Sequence, residues 1–305
     1  MGHISYIHIL IVVGIVAAVA VVGRVAFTAI RPPEAPKSTA FARYRSIVRK
    51  FLRIGFTIPL VAYAVSLGAG FIETARLNGG ESADAWAAAR TVFGAIGTVG
   101  LVVVPLLALI AAERVIRRFS VPVATLAARS VTTLVATPLL VVAAIVAAAA
   151  LTTTAGALVI DDASADFAFQ RQPGSYWLAL AILAATAVLT IVTVRLAISR
   201  GDLDETGPSD NWTRSGVATR AVALFVGGAS MTWFFALGAF SNVGWGYRDA
   251  DAPARRGWEW VESAHVLGLS QFLQGVAMVL IIVAFVTCAN PPVKIPRAVV
   301  SAVSA

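Results

Sequence analysis

Seven long uncharged stretches alternate with short polar connections along the chain. They are Ile4–Gly23, Ile54–Ile72, Thr91–Ala112, Ser130–Ile160, Pro173–Val194, Ala221–Tyr247 and Ser263–Val293. About 20 apolar residues in helical form cross the hydrocarbon core of a bilayer. Each stretch therefore predicts one spanning helix, approximately residues 4–23, 54–72, 91–112, 133–157, 176–198, 217–240 and 264–289. The expected fold is all-α: a polytopic seven-transmembrane-helix bundle forming a single integral membrane domain over residues 1–305. The fourth, sixth and seventh stretches exceed one crossing, so they tilt or hold interfacial or loop residues. Pro291 and Pro292 end the last helix near Ala289.

The polar connections orient these helices. Lys and Arg number eight in the first connection, then two, four, one, four and three, with two in the C-terminal tail and none in the N-terminal stub. Alternate compartments hold eighteen and six cations. The positive-inside rule assigns the eighteen to the cytoplasm, which puts the N-terminus outside and the C-terminus in the cytoplasm. The first stretch lacks the preceding positive charge and the short core of a signal peptide, so it reads as an uncleaved helix. Such a chain belongs in the cell membrane as a multi-pass protein. No internal repeat is evident: Pro59, Pro105 and Pro138 fall inside helices two, three and four, without counterparts in helices five to seven.

Composition agrees. Of 305 residues, 58% are hydrophobic and 13% charged, against roughly 25% charged in a soluble domain. The net charge of +8 follows from the basic connections and gives no reason to expect nucleic acid as a partner. Cys288 is the only cysteine, which excludes an intrachain disulfide. The basic segment Arg43–Gly55 mixes Arg and Lys with Phe, Ile and Leu. It reads either as an amphipathic helix on the anionic inner leaflet or as a topology signal alone. The fifth connection, with Asp202, Asp204, Glu205 and Asp210, lacks the spacing of a calcium loop and is expected to be solvated. Asn211-Trp212-Thr213 fits a glycosylation pattern on the wrong side of the membrane.

Ionisable residues within a membrane are costly and mark function. Here Arg24, Glu73, Glu113, Arg195 and Arg220 all lie near the ends of apolar stretches, where long side chains reach water. This weighs against a proton pump or a carrier with a central carboxylate. The last helix has no Lys, which weighs against a retinal protein. His3 and His8 begin helix one, and His265 begins helix seven. On one helix Glu259, Glu262 and His265 would recur every three residues. Facing His8 and His265 would suit a haem iron, and Glu262 with His265 would suit the protons of a quinol. The alternative is a set of interfacial polar residues without a cofactor. No metal site is expected.

Of the seven Trp residues, only Trp212 lies on the cytoplasmic side, whereas Trp245, Trp258 and Trp260 crowd the sixth connection. An aromatic belt would occupy both interfaces, so these three are expected to contact a partner at the outer face. Gly244-Trp245-Gly246 with Gly257-Trp258-Glu259-Trp260-Val261-Glu262 loosely resembles the external Trp-rich segment of membrane cytochrome c assembly proteins. That resemblance implies haem handling by flanking histidines. It stops at this stretch, the two Trp parts are farther apart than in that family, and Val261 stands where the family has an acidic residue.

Gly94, Gly97 and Gly100 form a small-residue stripe that admits a close helix. Thr152, Thr153 and Thr154 can bond their own preceding carbonyls. Gln271 and Gln274, about one turn apart, serve either helix packing or a solute path. Phosphate-binding, dinucleotide-binding, serine-hydrolase and zinc-protease motifs are missing from the sequence. The leading expectation is a non-catalytic membrane subunit or accessory component of a larger complex, with the bilayer and other membrane or outer-face proteins as partners. A redox subunit holding haem or quinone near His8, Glu262 and His265, and a small-solute transporter, are the alternatives.

Overall fold

The computed structural model describes residues 38–78, 84–120, 130–163, 173–203, 208–250 and 257–292. These residues form helices α1 (Thr39–Asn78), α2 (Asp84–Arg117), α3 (Val131–Leu134), α4 (Thr137–Ala163), α5 (Pro173–Ser199), α6 (Pro208–Asp249), α7 (Trp260–Ser263) and α8 (Val266–Ala289). Six of them, α1, α2, α4, α5, α6 and α8, are long and apolar enough to cross a membrane. The first hydrophobic stretch, with His3 and His8, lies outside the described residues. The described part of the chain is therefore that of a multi-pass membrane protein with six candidate spans.

Hydropathy placed the spans but underestimated several helices. At about 1.5 Å per residue, the 40 residues of α1 and the 42 of α6 extend about 60 Å, twice the hydrocarbon thickness. The basic segment Arg43–Gly55 is thus the first third of α1 rather than a separate surface helix. The fifth connection is also shorter than expected, because α6 starts at Pro208 and carries Asp210 and Trp212 on its first turns. The fourth stretch is broken. Val135 is extended (φ −111°, ψ 140°) between α3 and α4, and Pro138 lies in the first turn of α4 rather than in a helix interior. A first-turn proline sacrifices no intrahelical hydrogen bond.

The chain groups into two compact units. One contains residues 136–184 and 225–292 of the described chain, and the other contains residues 38–135 and 185–224. In the second unit α1 and α2 form an antiparallel pair. A Cβ on Gly97 would lie 2.9 Å from the Tyr63 backbone nitrogen, and one on Gly100 would lie 2.9 Å from the Pro59 Cβ. A Cβ on Gly94 would lie 2.9 Å from the Ser66 hydroxyl oxygen. The glycine stripe on α2 is the seat of α1. Contact is reciprocal, since a Cβ on Gly55 of α1 would meet Ala108 and Pro105 of α2 at 2.9 and 3.1 Å. Ser66 donates to the Arg90 carbonyl (2.8 Å), and Arg90 pairs with Glu73 (3.0 Å), which extends the register to the far end of the pair. Without a hydrophobic force between helices in lipid, such close backbone approach supplies much of the attraction.

In the first unit α4, α5, α6 and α8 pack through small residues. Val146, Ala150, Leu183 and Ala229 form one apolar cluster. Ala157, Tyr176, Ala236 and Ala239 form the next, and Val243, Tyr247, Val261 and Val266 form a third. Thr152 and Thr154 bond back to carbonyls of their own helix, which satisfies their hydroxyls without a partner helix. Thr232 of α6 donates to the Ala179 carbonyl of α5 (3.3 Å).

Candidate functional site

The polar centre of the second unit lies where the C-terminal end of α5 meets the N-terminal turns of α6. A helix C-terminus leaves carbonyls without intrahelical partners and carries partial negative charge. Arg214, in the second turn of α6, supplies what those carbonyls need. Its Nη1 donates to the carbonyls of Ala197 (2.6 Å) and Ile198 (2.9 Å), and its Nη2 to the Gly201 carbonyl and the Asp202 carboxylate (both 3.0 Å). Its Nε donates to Asp210 one helical turn earlier. Asp210 itself stands in the first turn of α6, where a negative charge complements the helix dipole.

Arg200 follows α5 directly and ties in a third helix. Its Nη1 donates to both carboxylate oxygens of Glu113 near the end of α2 (3.1 and 3.2 Å). Its Nη2 donates to Asp210 (3.3 Å) and to the Thr213 hydroxyl (2.7 Å). The Thr213 hydroxyl in turn donates to the Asp210 carbonyl (2.9 Å). Tyr44 of α1 brings in the fourth helix: its hydroxyl donates to the Thr213 carbonyl (3.0 Å), and its ring lies 5.3 Å from the Arg200 guanidinium carbon. The side chains of Arg200 and Arg214 are wholly buried, and those of Glu113 and Asp210 are 1% and 2% exposed. Burial works against the Arg200 charge, but Glu113, the Tyr44 phenol and Asp210 more than offset it, holding Arg200 above the ordinary arginine range. The arrangement is a clasp of two guanidiniums and three carboxylates joining α1, α2, α5 and α6.

Chemically the clasp is closed at its carboxylates, while the Arg200 Nε is buried without a hydrogen-bond partner among the described residues. Each carboxylate oxygen pair accepts from an arginine, and neither arginine titrates at working pH. Among the described residues, the buried charged side chains are Glu113, Arg200, Asp210 and Arg214, all in this cluster. Sequence reasoning missed it. Glu113 was expected to snorkel, yet it points inward. Asp210 was expected in a solvated loop, yet it is 1% exposed. The one signal available was the i, i+4 spacing of Asp210 and Arg214, acid before base, which is the favourable order on a helix.

The residues singled out from sequence lie elsewhere, in the first unit. His8 is outside the described residues. His265 is exposed and adopts a left-handed conformation (φ 49°) between α7 and α8, where it makes no side-chain capping bond. Because α7 ends at Ser263, Glu259, Glu262 and His265 do not share one helical face. Glu259 instead accepts from the Gly257 backbone nitrogen (3.1 and 3.0 Å), and Glu262 is exposed. No group of three or more His, Cys, Asp and Glu side chains able to hold a metal occurs among the described residues.

Trp258 and Trp260 stack with ring centroids 5.9 Å apart. Trp258 packs on the third apolar cluster, whereas Trp260 is 43% exposed. Trp245 is 40% exposed, with the Arg248 guanidinium 5.4 Å from its ring. Gln274 donates to the Phe234 carbonyl (3.4 Å), and its side-chain oxygen is 3.5 Å from the Ser241 hydroxyl. Ser241 also meets Ser270 at 2.9 Å. Gln271 is exposed. The two glutamines are therefore not one polar track: Gln274 joins α8 to α6, and Gln271 faces outward.

No protein-family model, no curated protein and no solved structure matches this chain.

Proposed function

We propose that this protein is a non-catalytic, multi-pass subunit or accessory component of a larger membrane complex, with seven spans, an outside N-terminus and a cytoplasmic C-terminus in the cell membrane. One observation carries the reading. Among the described residues, the buried charges are all engaged in a single closed clasp whose geometry serves helix assembly. A coupled carrier or a proton-handling enzyme keeps an ionisable group free to change partners, and the clasp is poorly suited to that.

Two further features fit. Trp260, stacked on Trp258, presents exposed aromatic surface at α7, and Trp245 presents exposed aromatic surface on α6. Aromatic residues of this kind are enriched at protein interfaces. The Ser241, Ser270 and Gln274 contacts are short-range bonds between α6 and α8, which favours packing over a solute path.

Photo-crosslinking in the native membrane tests the reading. A photoreactive residue at position 245 or 260 is expected to give a discrete protein adduct. The same residue at position 145, where Ile145 is 61% exposed in mid-helix, is expected to label lipid. Indistinguishable labelling from all three positions would sink the proposal.

A further inference from the structure

The second unit contains a cavity of about 340 Å³ beside the clasp. It is bounded by the first turns of α1, including Arg43, Tyr44 and Ile47, by Ile116 and Phe119 at the end of α2, and by Leu203 after α5. Two chemistries meet there. Ile47, Ile116, Phe119 and Leu203 make apolar walls. Arg43 supplies a cation at a defined place, because its guanidinium carbon lies 3.8 Å from the Phe119 ring centroid. Stacking occupies the flat face of a guanidinium and leaves its N–H edge for oxygen acceptors. The N-terminal turn of α1 adds the positive end of a helix dipole at the same wall.

The surroundings reinforce the sign. Arg45, Arg49, Lys50 and Arg53 on α1, Arg114 and Arg117 on α2, and Arg118 just after it are all exposed. The described carboxylates at this end, Glu113, Asp202 and Asp210, are already engaged by Arg200 and Arg214. Among the described residues at this end, these seven exposed cations exceed the one carboxylate by which the clasp is in surplus, so the excess is positive. An inorganic anion needs the cation and has no use for apolar walls. A hydrocarbon tail needs the walls and has no use for Arg43.

We infer that this cavity binds the headgroup of an acidic phospholipid, with the phosphate on Arg43 and the glycerol and first acyl carbons against Ile47, Ile116, Phe119 and Leu203. The inference does not depend on the subunit reading. Phosphate recognition alone is shared with free inorganic phosphate, and the apolar walls select the lipid.

Native mass spectrometry of the full-length protein in detergent tests it, titrating phosphatidylglycerol against phosphatidylcholine of matched chains. Phosphatidylglycerol is expected to be retained preferentially. Arg43→Gln is expected to weaken that retention about five-fold, the worth of one near-surface cation. Ile47→Trp, which fills the cavity and keeps every charge, is expected to weaken it as well, and it decides the matter alone if Arg43→Gln misfolds. Arg53→Gln removes an exposed cation that does not line the cavity and is expected to change retention little. Three outcomes would overturn the assignment: equal retention of both lipids, equal weakening by Arg43→Gln and Arg53→Gln, or full displacement of the lipid by millimolar inorganic phosphate.

Discussion

Removing one arginine from the clasp should be far more damaging than removing an ion pair. In Arg200→Met, Glu113 loses both of its guanidinium hydrogen bonds and stays buried with its charge. Asp210 retains Arg214, and the Thr213 hydroxyl loses a donor. Stranding one partner of a buried ion pair typically costs about 3–5 kcal/mol. Glu113→Leu is expected near the lower end of that range, because Arg200 keeps Asp210 and Thr213. The double substitution removes both charges together and leaves Asp210 paired with Arg214. The losses that remain are the bonds from Arg200 to Thr213 and Asp210 and its contact with the Tyr44 ring, with no charge left stranded, so the double variant is expected to cost about 2 kcal/mol, below either single. Reversible unfolding in mixed micelles, run as a double-mutant cycle, measures the coupling directly. A buried pair is screened far less than a surface pair, so the coupling should persist from low to molar salt. Additive single costs, or a coupling that disappears with salt, would refute the clasp as a buried structural unit.

Other substitutions probe the packing and the outer aromatic surface. Gly97→Ala should destabilise by about 1–3 kcal/mol, because its Cβ meets the Tyr63 backbone, despite a helix-propensity gain of about 1 kcal/mol. Gly68→Ala, with nothing within 4 Å of the new Cβ, should keep that gain, and unfolding in mixed micelles that gave both variants the same sign would contradict the α1–α2 geometry. Tyr44→Phe loses one hydrogen bond to the Thr213 carbonyl and should cost about 1 kcal/mol by the same assay. Trp260→Ala should lower stability by no more than about 1.5 kcal/mol, the worth of its stack on Trp258, yet it should reduce recovery of partner proteins after mild extraction, as read by quantitative proteomics.

The fold was legible where one variable decides it. Hydropathy located the six described spans because lipid tolerates little else, and the Gly94–Gly97–Gly100 stripe marked the seat of α1 because close approach needs small residues at helical spacing. Helix ends were not legible. A hydropathy count stops at the first charge, whereas α2 continues past Glu113 and α6 begins before Asp210, with Arg200 pairing both carboxylates and Arg214 of α6 itself pairing Asp210 as well. Glu113 and Arg200 are 87 residues apart, and nothing local records their meeting. Pro138 was misread for a related reason: a continuous apolar run conceals the extended residue Val135 that frees the proline to open α4. The Glu259–Glu262–His265 spacing assumed an unbroken helix, and the left-handed His265 breaks it.

The most direct test of the central claim is native mass spectrometry of the protein gently extracted from its own membrane. The account predicts a defined assembly carrying additional protein mass, lost when Trp245 and Trp260 are both replaced by Ala. A bare monomer or homo-oligomer at multiples of 31.8 kDa, or a chain whose extra mass is a haem or quinone removed by His265→Ala, would contradict it.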